Sequence, residues 1–324
     1  MNIVLCYPTE PHHLRWIAEA APGANIINAG QEGIAEAIME ADIFIGHAKV
    51  PVDWDAVVRQ GRLKWIQSSA AGLDHCLVPA VIDSNIPVCS ASGLFANQVA
   101  EQTLALLLGV LRGIPVFFRQ MQTKQFVRRP TGDLHGKTVG IVGLGGNGRR
   151  LAQVLSPFRV KIMATDYYPV QCPPEVSYLG PHTELRSLAS AVDILILTLP
   201  LNESTHHCVN GSVLDAMKRG SFLINVARGQ VVDEAALVER LRSGHLAGAG
   251  VDVTEVEPLP ENSPLWDLPN VLITPHVGAQ AANRVDDTTR LACENLRRFL
   301  AGEKVYNIVD KKLGFPHPDV LYRV

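Results

Sequence analysis

No stretch of this chain reaches the roughly 18 consecutive apolar residues that a bilayer-spanning helix needs. A dominant charge is missing too: 29 Lys and Arg stand against 32 Asp and Glu, a formal net charge of −3. That balance gives no electrostatic case for a nucleic-acid partner or an anionic membrane surface. No cysteine pair has C-x-x-C spacing; Cys6, Cys76, Cys89, Cys172, Cys208 and Cys293 are scattered and read as reduced thiols. The start, "MNIVLCYPTEPHH", lacks the basic flank and apolar core of an export signal, so the expected location is the cytoplasm. The pairs His12-His13 and His206-His207 are read as strand neighbours facing opposite ways, and no metal site is expected. No internal repeat or low-complexity segment is visible. What remains is an ordinary globular composition, 47% hydrophobic and 19% charged, long enough at 324 residues for two domains.

Short apolar runs alternate with helix-like spacing throughout. "NIVLCY", "ANIIN", "DIFIGH", "LKWIQS" and "IPVCSA" read as strands in the first hundred residues. A long helical stretch follows from about Asn97, with Pro115 expected to break or kink it. A second series begins at "KTVGIVG" and continues through "VKIMATD", "DILILTL", "SFLINVA", "GAGVDV" and "NVLITP". Between the fourth and fifth strands of this series lies "DEAALVERLRSG", with Asp233 as N-cap and Gly244 just past the helix end. Another helix, about 281–300, leads to a Pro-rich tail. Such alternation predicts two parallel sheets covered by helices, the C-terminus returning to the first domain.

The densest motif is "VGLGGNGRR", in which Gly143, Gly145 and Gly148 fit G-x-G-x-x-G. Alone it is weak evidence. Here it follows a strand and opens a helix, and the next strand ends in Asp166. The first glycine permits a tight turn, the second lets backbone approach a pyrophosphate, and the third lets helix and strand pack closely. Gly146 and Asn147 open the helix and add N–H groups and positive dipole at the phosphates. Asp166 can accept from both ribose hydroxyls, and a 2′-phosphate would face its carboxylate, so NAD is expected over NADP.

Ligands of doubly wound sheets sit outside the carboxyl ends of the strands. Arg228 in "LINVARG", Asp252 and Glu257 in "GAGVDVTEVEP", and His276 in "VLITPHVG" all fall at such places. An arginine fork can grip a carboxylate and a reacting oxygen. A histidine can take an alcohol proton and return it, while a nearby glutamate favours the imidazolium and fixes its orientation. This set suits hydride transfer from a secondary alcohol beside a carboxylate.

The pieces "GKTVGIVGLGGNG", "LPLNEST", "LINVARGQVVDEAAL", "GAGVDVTEVEPLP" and "NVLITPHVG" together resemble the D-2-hydroxyacid dehydrogenase family over nearly the whole chain. The resemblance implies that Arg228 binds substrate, that His276 is the acid/base and that Glu257 is its partner. It implies that Asp252 holds the nicotinamide carboxamide, with Val226 and Gly278 near it, and that Leu199, Pro200 and Thr205 lie under the adenosine. "SSAAGLDH" resembles the family's substrate loop, which puts carboxylate-binding amides at Ala71 and Gly72. "NQVAEQT" resembles the start of the inter-domain helix, with Val99 and Glu101 at matching positions. One departure is Asn147, where the family commonly has an aliphatic residue; it puts the packing of that turn in question.

The expected fold is therefore α/β: two doubly wound parallel-sheet domains, a Rossmann NAD-binding domain (102–286) inserted in a flavodoxin-like substrate domain (1–101 and 287–324). The expected activity interconverts a small D-2-hydroxy acid and its 2-keto acid with NAD, in a homodimer built around the NAD-binding domain with the substrate cleft between domains. The formate-oxidising branch differs by pairing its histidine with glutamine. A corepressor-like NAD(H)-sensing protein is the alternative. A C-terminal regulatory domain like that of some phosphoglycerate dehydrogenases is not expected, and the sequence does not choose among hydroxy acids.

Overall fold

Alternation by two residues sets the first sheet. Ile3 and Leu5 of β1 (Asn2–Cys6) join one apolar cluster and Val4 and Cys6 the other, so the strand is covered on both faces. The computed structural model describes residues 1–322, in two units: Met1–Phe95 with Ala281–Val324, and Ala96–Gln280.

In the first unit β1 is followed by α1 (Pro11–Ala20), β2 (Asn25–Asn28), α2 (Ile34–Ala37), β3 (Ile43–Gly46), α3 (Trp54–Gln60), β4 (Trp65–Ser68), α4 (Pro79–Asp83) and β5 (Val88–Cys89). The strands form one parallel sheet in the order β2-β1-β3-β4-β5. All five expected strands are present.

The second unit opens with α5 (Ala96–Leu111) and α6 (Ile114–Gln122). The break between them falls at Arg112–Gly113 with a 69° bend, and Pro115 lies in the first turn of α6. Pro115 therefore starts a helix, where its missing N–H costs nothing, and does not kink one. Then come β6 (Thr138–Val142), α7 (Gly146–Leu155), β7 (Lys161–Asp166), β8 (Val176–Pro181), α8 (Leu185–Ala191), β9 (Ile194–Leu197), α9 (Gly211–Ala216), β10 (Ser221–Asn225), α10 (Glu234–Arg242), β11 (Leu246–Val251) and β12 (Val271–Ile273). This sheet is parallel, in the order β12-β11-β10-β9-β6-β7-β8. Successive strands run outward from β6 on one side and from β9 on the other, so the chain reverses direction at the β6/β9 boundary. That is the switch point at which open α/β sheets bind ligands. Asp233 caps α10 by accepting from the Ala236 amide at 2.9 Å, and Gly244 follows that helix in the left-handed region, both as expected.

The edge strand β8 is an addition to the sequence reading. Its "VSYLGP" mixes Gly and Pro into a half-exposed run, a composition an edge tolerates and an interior strand does not.

The chain returns to the first unit through α11 (Arg284–Leu300), which buries Leu291 and places Ala292, Cys293 and Leu296 in a shared cluster with Ile17 of α1 and Ile3 of β1. Burying one such leucine is worth about 1.5–3 kcal/mol. The tail then pairs β13 (Val309–Asp310) with β14 (Phe315–Pro316), and Asn307 donates to the carbonyls of Ser90 and Ser92. The expected joints, 101/102 and 286/287, fall inside α5 and α11. Each helix instead stays whole, because a packed apolar stripe belongs to the core that buries it. Among the described residues no single helix is long and apolar enough to cross a membrane.

Candidate active site

The glycine motif lies just past the carboxyl end of β6. Gly143 has φ +92°, and a Cβ there would come within 2.9 Å of the Leu199 backbone beyond β9. A Cβ on Gly148 would sit 2.2 Å from the Gly143 carbonyl oxygen. Both positions therefore require glycine, the first for its backbone and both for close approach. Around Gly145 nothing stands within 4 Å of a Cβ position, so that side of the turn is open.

Helix α7 then starts with no side-chain cap, and its first intrahelical bond runs from the Arg149 amide to the Gly145 carbonyl. The amides of Gly146, Asn147 and Gly148 thus have no acceptor in their own helix. Bare amides beside open space fit a pyrophosphate. The turn forms with Asn147 half-buried, so the departure there does not disturb it.

Asp166 ends β7 and faces this loop. Its carboxylate accepts from the Leu144 amide at 2.5 Å and the Tyr168 amide at 2.8 Å. Burial pushes its carboxyl above the usual range, against the opposing pull of those amides and of Arg149. Leu199, Pro200 and Thr205 share the loop after β9, where the Thr205 hydroxyl donates to the Pro200 carbonyl at 2.8 Å. Val226 leaves β10 half-buried, and Val99 is buried on α5 while Glu101 is exposed.

The second cluster lies beyond β10, β11 and β12. His276 Nδ1 is 2.8 Å from Glu257 Oε2, and both side chains are partly exposed, at 45% and 39%. Glu257 also accepts from the Thr254 amide at 3.2 Å. Burial works to raise the Glu257 carboxyl, but the His276 hydrogen bond and charge, the Thr254 amide and Arg228 outweigh it and hold it below the usual range. Arg228 is half-buried and close enough to Glu257 to act on its charge; its guanidinium donates to the Ala227 carbonyl at 2.7 Å.

His276 has φ +53°, a left-handed conformation that costs a non-glycine residue on the order of 1–3 kcal/mol. Asp252 supplies the compensation. It is 3% exposed and accepts from the Thr274 hydroxyl (2.6 Å), the Val277 amide (3.0 Å) and the Gly278 amide (2.8 Å). Each such bond contributes about 1 kcal/mol, enough together to hold the turn. The His276 amide also donates to the Asp252 carbonyl at 2.8 Å, and Gln102 of α5 donates to Thr274 at 2.8 Å. In this structure Asp252 shapes the turn that presents His276. Gln102 and Thr274 are additions to the sequence reading; their partners lie 172 residues apart, with no local motif to join them.

In the first unit, Ala71 and Gly72 lie in the loop leaving β4, with Ala71 exposed and Gly72 half-exposed. The histidine pairs are placed differently from the expectation. His12 and His13 stand in the first turn of α1, where neighbours can converge, and their Nε2 atoms lie 3.2 and 2.8 Å from Asp286 Oδ1. His13 Nδ1 accepts from the Glu10 amide at 2.9 Å. The neutral ring therefore carries its hydrogen on Nε2 and donates it to Asp286, leaving no lone pair there for a metal. His206 and His207 occupy a turn with rings stacked 4.1 Å apart.

Residues 104–278 match the family described as D-isomer specific 2-hydroxyacid dehydrogenase, NAD binding domain. The chain is 34% identical over 294 residues to the glyoxylate reductase of Thermofilum pendens, covering 87% of this chain and 85% of that one. It is 30% identical to the D-3-phosphoglycerate dehydrogenase of Methanocaldococcus jannaschii, over 90% of this chain but 57% of that longer one. The crystal structure of a D-isomer specific 2-hydroxyacid dehydrogenase from Xanthobacter autotrophicus Py2, in complex with NADPH and MES, superposes with a TM-score of 0.82. The identity is 31%, covering 97% of this chain and 99% of the other. Taken with the glycine loop and the strand-end cluster, these matches define an NAD-dependent dehydrogenase acting on CH–OH donors. The chain belongs to the D-isomer specific 2-hydroxyacid dehydrogenase family, whose substrates are small hydroxy and keto acids.

Proposed function

We propose that the protein interconverts a small D-2-hydroxy acid and its 2-keto acid, with His276 as acid/base, Arg228 binding the carboxylate and carbonyl, and Glu257 orienting the histidine. One observation carries the reading: the 2.8 Å pair of His276 and Glu257, on a turn pinned by Asp252, with Arg228 acting on the same carboxylate. The nicotinamide, when bound, supplies the hydride for C2 in reduction and accepts it in oxidation. In reduction His276 Nε2 gives its proton to the carbonyl oxygen while Glu257 stabilises the imidazolium through Nδ1; in oxidation the proton returns. Arg228 holds the substrate flat through two parallel hydrogen bonds.

Asp166 is assigned the adenosine ribose, which favours NAD over NADP. The Xanthobacter relative was crystallised with NADPH, so the preference is a property to measure on this chain.

The test is NADH oxidation with a panel of 2-keto acids, run on the parent and on His276→Ala. General acid–base catalysis contributes about 10²- to 10⁴-fold, so turnover should fall by that much while NADH still binds. An unchanged rate removes the histidine from the chemistry. Binding without turnover on any keto acid would leave a nucleotide-sensing protein.

The same proposal includes a homodimer through the NAD-binding unit. Ile114, Phe118 and Met121 on α6 and Phe126 beyond it are exposed, Phe126 at 99%, a patch suited to a second copy. A monomer in sedimentation equilibrium at micromolar concentration would reject it.

A further inference from the structure

The second unit holds another histidine–carboxylate pair besides His276 and Glu257. His207 Nε2 lies 2.5 Å from Glu255 Oε1, with both side chains about one-third exposed (35% and 31%). Glu255 stands two residues before Glu257, in the loop leaving β11. His207 closes the loop after β9 that carries Leu199, Pro200 and Thr205. It is built into place: its φ is +49°, and its amide donates to the Gln230 carbonyl at 2.8 Å. Gln230 in turn donates through Nε2 to the Glu255 carbonyl at 2.9 Å, and the Glu255 amide donates to Glu234 at 3.0 Å.

The segment just after Arg228 meets the same loop without any gap. A Cβ on Gly229 would fall 1.9 Å from the Thr254 carbonyl carbon. Thr254 is the residue whose amide holds Glu257 Oε1. Three strand-end segments therefore meet on the stretch Thr254–Glu257: the loop after β9 through His207, the Arg228 segment through Gly229 and Gln230, and the His276 turn through Glu257.

We propose that the His207–Glu255 pair is a positioning clasp, tying the loop after β9 to the loop that presents Glu257 and so fixing the orientation of Glu257 toward His276. The proposal rests on the reading of His276 and Glu257 given above. Neither His207 nor Glu255 touches a reacting atom in it; both act through Glu257. Without the clasp the loop keeps its close approach at Gly229 and its bond from the Gln230 side chain, but loses the bond that restrains the carboxylate end.

The experiment compares His207→Ala, Glu255→Ala, the double variant and His207→Gln in steady-state reduction of the best keto acid, with NADH dissociation constants from fluorescence. Small losses of alignment at a reacting centre are costly. We expect kcat to fall about tenfold in each single alanine variant, with the NADH dissociation constant within about threefold of the parent. The double variant should be no worse than either single, because both remove one interaction. Glutamine can place its Nε2 where the histidine Nε2 stands, so His207→Gln should recover most of the rate. If His207→Ala fails to fold by circular dichroism, Glu255→Leu keeps the bulk, offers no acceptor to His207 and reads the same loss of kcat. Unchanged kcat, or additive losses in the double variant, overturns the clasp. His276→Ala separates the two layers. If it retains turnover, the underlying reading falls; if it is dead while His207→Ala matches the parent, only the clasp falls.

Discussion

The first strand of each parallel sheet passes through a loop into a helix, β1 to α1 in the first unit and β6 to α7 in the second. In the first, the chain finishes its own helix start. Pro11 has no N–H to satisfy, the His13 amide goes back to the Glu10 carbonyl, and the His13 ring accepts the Glu10 amide. In the second, three glycines and an asparagine begin α7 with no side-chain cap. The same local architecture is closed in one place and open in the other. The difference lies in what the loop residues do with backbone amides, and it marks which sheet holds a nucleotide.

The largest test of this contrast is Gly148→Ala. Its Cβ would meet the Gly143 carbonyl at 2.2 Å, and a matching change in the first sheet, Gly46→Ala, would meet the Cys6 carbonyl at 2.4 Å. Each forces a backbone shift costing about 1–3 kcal/mol. Gly148→Ala should weaken NADH binding by 100-fold or more by titration calorimetry, on the order of 2.7 kcal/mol. Gly46→Ala should lower Tm while NADH affinity stays within about threefold. Equal effects on affinity would erase the distinction between the two sheets.

Asp166→Ala comes next. It removes the acceptor from the Leu144 amide and, in the proposed reading, from the ribose, so the ratio of kcat/KM for NADH over NADPH should fall about tenfold, about 1.4 kcal/mol. A parent that uses both coenzymes equally would refute the role given to this carboxylate.

The smallest effect belongs to the closed helix start. Hydrogen bonds from His13 and His12 hold the Asp286 carboxyl below its usual range. A depressed carboxyl contributes stability that is present above its unfolded value and is lost as pH falls through the folded one. Asp286→Asn should therefore lower Tm slightly at neutral pH, and the gap from the parent should close as the pH drops below the carboxylate range. A gap that widens in acid would reverse the assignment.

Much of this was legible in the sequence because it is local. Strands with both faces buried read as apolar runs, and the glycine motif, the Asp233 cap and the strand-end Arg228, Glu257 and His276 need only their neighbours to be recognised. Other features depend on distance or on small differences of composition. Strand β8 hides because an edge tolerates Gly180 and Pro181. The helix break was expected at Pro115, but a proline in a first turn is at home, and the bend falls before it. A period of two separates His12 and His13 only on a strand; Pro11 begins a helix there, and both rings turn to Asp286. The support of His276 by Asp252, Thr274 and Gln102, like the pairing of His207 with Glu255, joins residues far apart and leaves no spacing to read.

The left-handed backbone of His276 also restricts which replacements are informative. A β-branched side chain at that position would clash with its own carbonyl and distort the Thr274–Gly278 bend. Loss of rate in such a variant would report a collapsed bend as much as a missing proton carrier. Asparagine tolerates this backbone far better and cannot shuttle a proton, so it isolates the imidazole from the scaffold that displays it.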